Sequence, residues 1–360
     1  MLSRVADSIF WMSRYIERAE NVARFIDVNW HLLLDSGSTE QAQWQPLVDT
    51  TGDGEVFMER YGETTRNNVI RFLSFDQENP NSILSCVRAA RENARTVRDV
   101  ISSEMWEQIN AFHLMLKESA LNTKAIESPY EFFNEVKMAS HLFLGVTDTT
   151  MWRGEGWNFF RLGQLLERCD KTSRILDVKY YLLNPLGNDS NADTIQWAAV
   201  LKSASGLEMY RKRHSRIVPD RVVEFLMFEP NFPRAAIFCV KTANESLHQI
   251  TGTPLDQASC DAEVRMNEIW KEISATSSQD AILVGLHQYI DALQTKLNLA
   301  GTSIRNDFFL SNDQQTISEK QEQSQSQTQS PAAAGPAGTV APLQKQTQTQ
   351  SLGTKTQRQG

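Results

Sequence analysis

An all-α fold is predicted by three features of the sequence: a long apolar stripe at helical spacing near its start, prolines at the starts of later helical segments, and no stretch of sustained two-residue alternation rich in β-branched residues. Val5, Ile9, Met12, Ile16, Ala19, Ala23, Ile26 and Trp30 recur at alternating steps of four and three, which predicts one helix over residues 3–34. Gly37 stops it, and Pro46, Gly52 and Gly54 predict a loop over 36–54. Further helices are expected at about 55–75, 81–101, 103–121, 129–150, 156–183, 193–213, 219–228, 233–250, 257–275 and 279–309. Pro80, Pro129, Pro219 and Pro233 fall at expected starts, where a missing N–H costs little. Residues 311–360 are rich in Gln, Ser, Thr, Pro and Gly, with almost no large apolar side chains. Such a segment buries too little surface to offset its ordering entropy, so it is predicted to be a disordered tail.

Two blocks of the chain match each other. Residues 10–28 and 160–178 pair at an offset of 150, carrying Phe10 to Phe160, Glu17-Arg18 to Glu167-Arg168, Arg24 to Arg174 and Asp27 to Asp177. Residues 69–93 align without a gap to 222–246 at an offset of 153, with Phe72/Phe225, Pro80/Pro233, Cys86/Cys239 and Glu92/Glu245 among the identities. Collinear matches of this kind predict an internal duplication, with halves of 1–150 and 151–310 in one compact body and a pseudo-two-fold relation between the two Glu-Arg helices.

The composition limits the function classes. With 36 Lys and Arg against 44 Asp and Glu, the net charge is −8 and no broad basic face is implied. General nucleic-acid or anionic-membrane binding is therefore not expected. The four cysteines, Cys86, Cys169, Cys239 and Cys260, are far apart and read as small buried hydrophobes in a reducing compartment. The N-terminus has no uninterrupted apolar core of a secretory signal, and no uncharged stretch approaches the ~20 residues of a membrane span, so the cytoplasm is the default location.

The Glu-Arg pairs are the main candidate site. On a helix Arg14, Glu17, Arg18 and Arg24 share a polar band, and Glu167, Arg168 and Arg174 repeat it. Exposed pairs on a solvated face are common and weak. Here the first helix is also apolar at Phe10, Tyr15 and Phe25, which leaves less of it for water. Adjacent Glu and Arg project about 100° apart, so one of them flanks the apolar stripe.

The opening MLSRVADSIFWMSRYIERAENVARFIDV, the block SILSCVRAARENARTVRDVISSEMWEQIN with Arg95, Arg98 and Trp106, and TTMWRGEGWNFFRLGQLLERCDKTSRILDV together resemble the bacterial Alpha-E family. The resemblance covers residues 1–310 and implies an all-helical domain with a recurrent Glu-Arg motif, carried here by Glu17-Arg18 and Glu167-Arg168. It implies no settled catalytic activity. Family members are typically encoded beside a circularly permuted ATP-grasp protein and a transglutaminase-like protein, which implies those two as partners and peptide or amide-bond formation as the setting.

Other chemistry is weaker. Glu245 and His248 have the spacing of a di-iron ligand pair, but the position matched to His248 is Arg95, so no metal site or other cofactor is expected. His31, His113, His141, His214 and His287 lie singly on helical segments. There is no nucleophile elbow and no phosphate-binding Gly-Lys loop. Arg153, Gly154 and Gly156 precede a helix and form a candidate anion-binding turn, although a tight turn with Trp152 and Trp157 packed on it explains the same residues. Residues 210–216, YRKRHSR, form a short basic cluster that reads as a solvated helix end rather than a phosphate site. The function expected is a non-catalytic helical component of an amide-bond-forming system that binds a protein partner or a peptide. The alternative is an enzyme using the Glu-Arg pairs in a shared cleft on an amide, acyl or phosphoryl substrate.

Overall fold

A computed structural model describes residues 1–33, 40–122, 124–183 and 191–310; Gly37 and the 311–360 tail lie outside these. Every regular element among them is a helix, as predicted. In chain order they are α1 (Ser3–Leu33), α2 (Glu40–Thr51), α3 (Gly54–Tyr61), α4 (Arg66–Ser74), α5 (Ile83–Thr96), α6 (Ser103–Leu121), α7 (Lys124–Glu127) and α8 (Pro129–Thr150), followed by α9 (Glu155–Leu183), α10 (Asn191–Ser203), α11 (Leu207–Arg213), α12 (Pro219–Phe228), α13 (Ala236–Thr251), α14 (Asp261–Ala275), α15 (Ser278–Val284) and α16 (Leu286–Ile304). A π-turn, Arg305–Phe309, continues α16.

Some boundaries differ from the sequence expectation, each for a local reason. The loop expected over 36–54 contains α2. Trp44, Leu47 and Val48 stand at helical spacing and are buried, and that burial outweighs the hydrogen bond Pro46 gives up. The segment 55–75 splits into α3 and α4, where Thr65 caps α4 by accepting from the Asn68 amide. The segment 193–213 splits at Ser205 and the segment 279–309 at Gly285, whose φ of 109° suits glycine alone. Pro80 and Pro233 precede the helices rather than start them. Ser82 caps α5 by accepting from the Ser85 amide, and Ala235 precedes α13.

The helices form two four-membered rings around a central seam. In one ring α1 packs on α5 and α8, and α6 closes it by packing on both. In the other, α9 packs on α13 and α16, and α14 closes it. The rings share the α1–α9 contact. The stripe residues Ile9, Met12, Ile16, Ala19, Ala23 and Ile26 are fully buried there. Phe308 and Phe309 of the π-turn reach the same seam, against Phe159 and Phe10.

α1 and α9 run side by side in parallel, because contacts advance along both together: Phe10 meets Gly163, and Glu17 meets Arg168. Gly163 permits the close approach. A Cβ there would lie 2.4 Å from the Phe10 carbonyl oxygen and 2.4 Å from Ser13 Oγ. Gly163→Ala is therefore expected to destabilise the protein by about 1–3 kcal/mol although alanine is the better helix former. Gly145→Ala on α8, where a Cβ meets nothing within 4 Å, should instead gain about 0.5–1 kcal/mol. Thermal unfolding of both variants checks this; equal gains would contradict the tight seam.

Candidate functional site

The Glu-Arg pairs meet at the seam, and they exchange partners. Glu17 and its neighbour Arg18 leave α1 in different directions, so neither satisfies the other. Arg168 of α9 grips Glu17 with Nε (2.9 Å) and Nη2 (2.7 Å). Arg18 of α1 grips Glu167 in the same way, with Nε at 2.7 Å and Nη2 at 3.0 Å. Arg14 adds a third hydrogen bond to Glu167, at 3.0 Å. Both carboxylates are wholly buried. These fork-to-carboxylate contacts are the geometry for which arginine is suited and lysine is not.

Two turns complete the lattice. The turn before α5 presents Asn81, whose side-chain oxygen accepts from Arg18 Nη1 at 2.8 Å. The turn before α13 presents Arg234, which donates to Glu17 (3.0 Å), to Asn21 (3.2 Å) and to Glu20 (2.5 Å). Glu20, also wholly buried, further accepts from Arg24 Nε at 2.8 Å and Ser140 at 3.1 Å. His141 Nε2 stands 3.2 Å from Glu20 and 2.8 Å from Arg24 Nη2. On α9, Asp170 accepts from Arg174 at 3.0 Å, and Lys171 bridges Asp170 (3.1 Å) to Glu167 (3.6 Å).

Of the candidates read from the sequence, Arg14, Glu17, Arg18, Glu167 and Arg168 thus make direct contact. Arg24 joins through Glu20 and Arg234, and Arg174 through Asp170 and Lys171. Arg153, Gly154 and Gly156 stand apart. Arg153 donates to the Asp148 carboxylate at 2.9 Å and lies 3.6 Å over the Trp157 ring, while Trp152 is exposed rather than packed. Arg234, Asn81 and His141 were not singled out by the sequence. Arg234 and Asn81 occupy matched positions in the 153-offset alignment, just after the matched prolines, so two polar residues at one aligned position were the available signal. His141 carried none.

Charge follows from this geometry. Burial alone would raise the Glu17 carboxyl, but Arg168 and Arg234 overcome it and hold the group below its ordinary value. Against the same burial, Arg234, His141 and Arg24 hold Glu20 well below, as Arg18, Lys171 and Arg14 hold Glu167. These carboxylates are fixed charges at neutral pH. Thiol chemistry is not poised either: burial pushes Cys86 and Cys239 up to about 12 and Cys260 up to about 11. Among the described residues no group of three or more His, Cys, Asp or Glu side chains is placed to hold a metal ion. His248 instead lies 3.0 Å from the Thr253 carbonyl and 3.3 Å from Glu263.

Breaking the lattice should be costly. Glu17→Ala leaves Arg168 without its carboxylate and Arg234 with the Glu20 carboxylate alone, and is expected to cost about 3–5 kcal/mol, whereas Glu272→Ala in an exposed pair should cost less than about 1 kcal/mol. Because the folded carboxyls lie below their unfolded value of 4.5, their contribution is complete above that pH and is lost as the pH falls below it. Denaturant unfolding across that range should give a shallower acid slope for Glu17→Gln than for the parent. An unchanged slope, with no loss at neutral pH, would place Glu17 outside the stabilising network.

No solved structure matches the chain. Uncharacterised proteins of Mycobacterium bovis and Mycobacterium tuberculosis are 22% identical to it over 268 residues, a match that spans 69% of this chain but only 30% of each relative. The Alpha-E family, described as a predicted alpha-helical domain with a conserved ER motif, matches residues 1–309, which include both Glu-Arg pairs. The chain therefore belongs to the Alpha-E family.

Proposed function

We propose that this protein is a cytoplasmic, non-catalytic helical component of a peptide- or amide-bond-forming system, and that it acts by binding a protein partner. The partners proposed are a circularly permuted ATP-grasp protein and a transglutaminase-like protein. The observation that carries the non-catalytic reading is the saturation of the motif. Glu17, Glu20 and Glu167 have no exposed surface, each accepts hydrogen bonds from two or more cationic side chains, and each is held in its charged form. A carboxylate in that state is a brace rather than a general acid or base, which must reach substrate and exchange a proton near the working pH. The enzyme reading has less support for the same reason.

Two observations favour a protein partner. In the mycobacterial relatives the matched region is a minor part of a longer chain, so related helical domains occur joined to other protein. In addition, α6 and α8 enclose an apolar groove of about 580 Å³, lined by Phe112, Met115, Met138 and Leu142 among others. Met138 and Leu142 are more than half exposed, as a docking face for a partner requires. We propose, further, that the two helix rings descend from an internal duplication. In support, Lys137 holds Asp27 at 2.6 Å while His287 Nδ1 lies 2.8 Å from Asp177, and both members of the two pairs are 150 positions apart.

Co-purification with the proposed ATP-grasp partner tests the reading. The full chain is expected to associate with it, and Met138→Glu with Leu142→Glu should weaken association about tenfold or more while leaving the melting temperature unchanged. Absence of association by the parent chain would overturn the partner reading. Undiminished association by the double variant would move the contact away from this groove.

A further inference from the structure

A second feature lies beside the lattice and shares only Arg24 with it. α1, α8, α10 and α11 enclose an open cavity of about 560 Å³, within the range of small-molecule sites. α1 lends it Arg24, Asp27 and Val28, three residues on one helix face. α8 lends Lys137. α10 lends Ile195, Ala198, Ala199 and Lys202, again at helical spacing, and α11 lends Leu207, Glu208 and Arg211.

The lining combines an excess of cations with an apolar face. Arg24, Lys137, Lys202 and Arg211 stand against Asp27 and Glu208, a formal excess of two positive charges (four less two). Lys137 is committed to Asp27, and Arg24 to Glu20. Lys202 and Arg211 are exposed and make no ion pair among the described residues. Arg211 belongs to the YRKRHSR cluster, whose basic side chains are exposed at the end of α11 as expected; Arg213 pairs with Glu229, and the buried Tyr210 donates to the Arg216 carbonyl. The short side chains of Ala198 and Ala199 leave the volume open and give it an apolar surface together with Ile195.

Ser205, which also lines the cavity, has a φ of 53° because it closes α10: its amide donates to the Lys202 carbonyl at 2.9 Å and the Gly206 amide to the Leu201 carbonyl at 2.7 Å.

We propose that this cavity binds a small dianion with an apolar body, either a phosphomonoester or a dicarboxylate. Its charge would be met by Lys202 and Arg211, beside the already paired Arg24 and Lys137, and its body by Ile195, Ala198 and Ala199. Arg24 and Lys137 are held in place by Glu20 and Asp27, so two of the cations are preorganised; Lys202 and Arg211 supply donors not yet used. The inference does not depend on the partner reading, since Lys202 and Arg211 lie outside both the Glu-Arg lattice and the α6–α8 groove.

Calorimetric titration of the full chain tests it, with phenyl phosphate and adipate as the two dianions and benzamide as the neutral control. At least one dianion should saturate a single site, and benzamide should not. Lys202→Gln with Arg211→Gln should weaken that binding about tenfold or more without changing the melting temperature of the unliganded protein. Lys212→Gln, a neighbouring basic residue that does not line the cavity, should leave it unchanged. Binding of phenyl phosphate alone assigns the site to phosphomonoesters, and of adipate alone to dicarboxylates. The proposal is overturned if neither dianion saturates, if benzamide binds equally well, or if the double variant binds like the parent.

Discussion

Two carboxylates buried between parallel helices, each gripped by an arginine fork from the other helix, are the constraint on which this structure depends. An isolated buried carboxylate is too costly to persist in charged form. The neighbouring arginine in sequence cannot relieve it, because residues one apart on a helix face different ways. Glu17 therefore needs α9 and Glu167 needs α1. Sliding one helix along the other by a single residue would unpair both contacts at once. The motif thus sets register and orientation, a role that a purely apolar seam would leave to shape alone.

The surrounding elements serve that seam. Gly163 lets the helices approach, and the proline-bearing turns before α5 and α13 end in side chains that occupy the remaining guanidinium and carboxylate positions. The two ends of the lattice are not alike. Asn81 accepts from an arginine on one side, whereas Arg234 on the other supplies a charge that Glu17 and Glu20 share. Cations consequently outnumber carboxylates around α1, and Arg24 links this positive end to the neighbouring cavity.

Much of the architecture was legible in the sequence because it is local and periodic. The stripe from Val5 to Trp30 gave α1, and the repeated Glu-Arg spacing located the residues that meet at the seam. What escaped was either a competition between local signals or a contact distant in sequence. In α2, Pro46 and the nearby glycines read as a loop, yet Trp44, Leu47 and Val48 gain enough burial to keep a helix. The breaks at Ser205 and Gly285 depend on single backbone angles that a periodicity search averages away. Arg234 lies 217 positions from Glu17, and its match in the other block is an asparagine, so a search for identities passes over it. The exposure of Trp152 shows the reverse error, in which an aromatic residue suggested packing that the fold does not provide.

The same geometry that makes the motif a good brace removes it from acid–base chemistry, and it directs attention to surfaces the lattice holds in place: the apolar groove between α6 and α8 and the cationic cavity beside Arg24. The central claim is that Glu17 and Arg168 stabilise the protein through each other. A double-mutant cycle on equilibrium unfolding, using Glu17→Ala, Arg168→Ala and the pair together, measures this directly. The account predicts a coupling of about 2 kcal/mol or more, with the double variant less destabilised than the sum of the singles. Additive losses, with a coupling below about 0.5 kcal/mol, would contradict it.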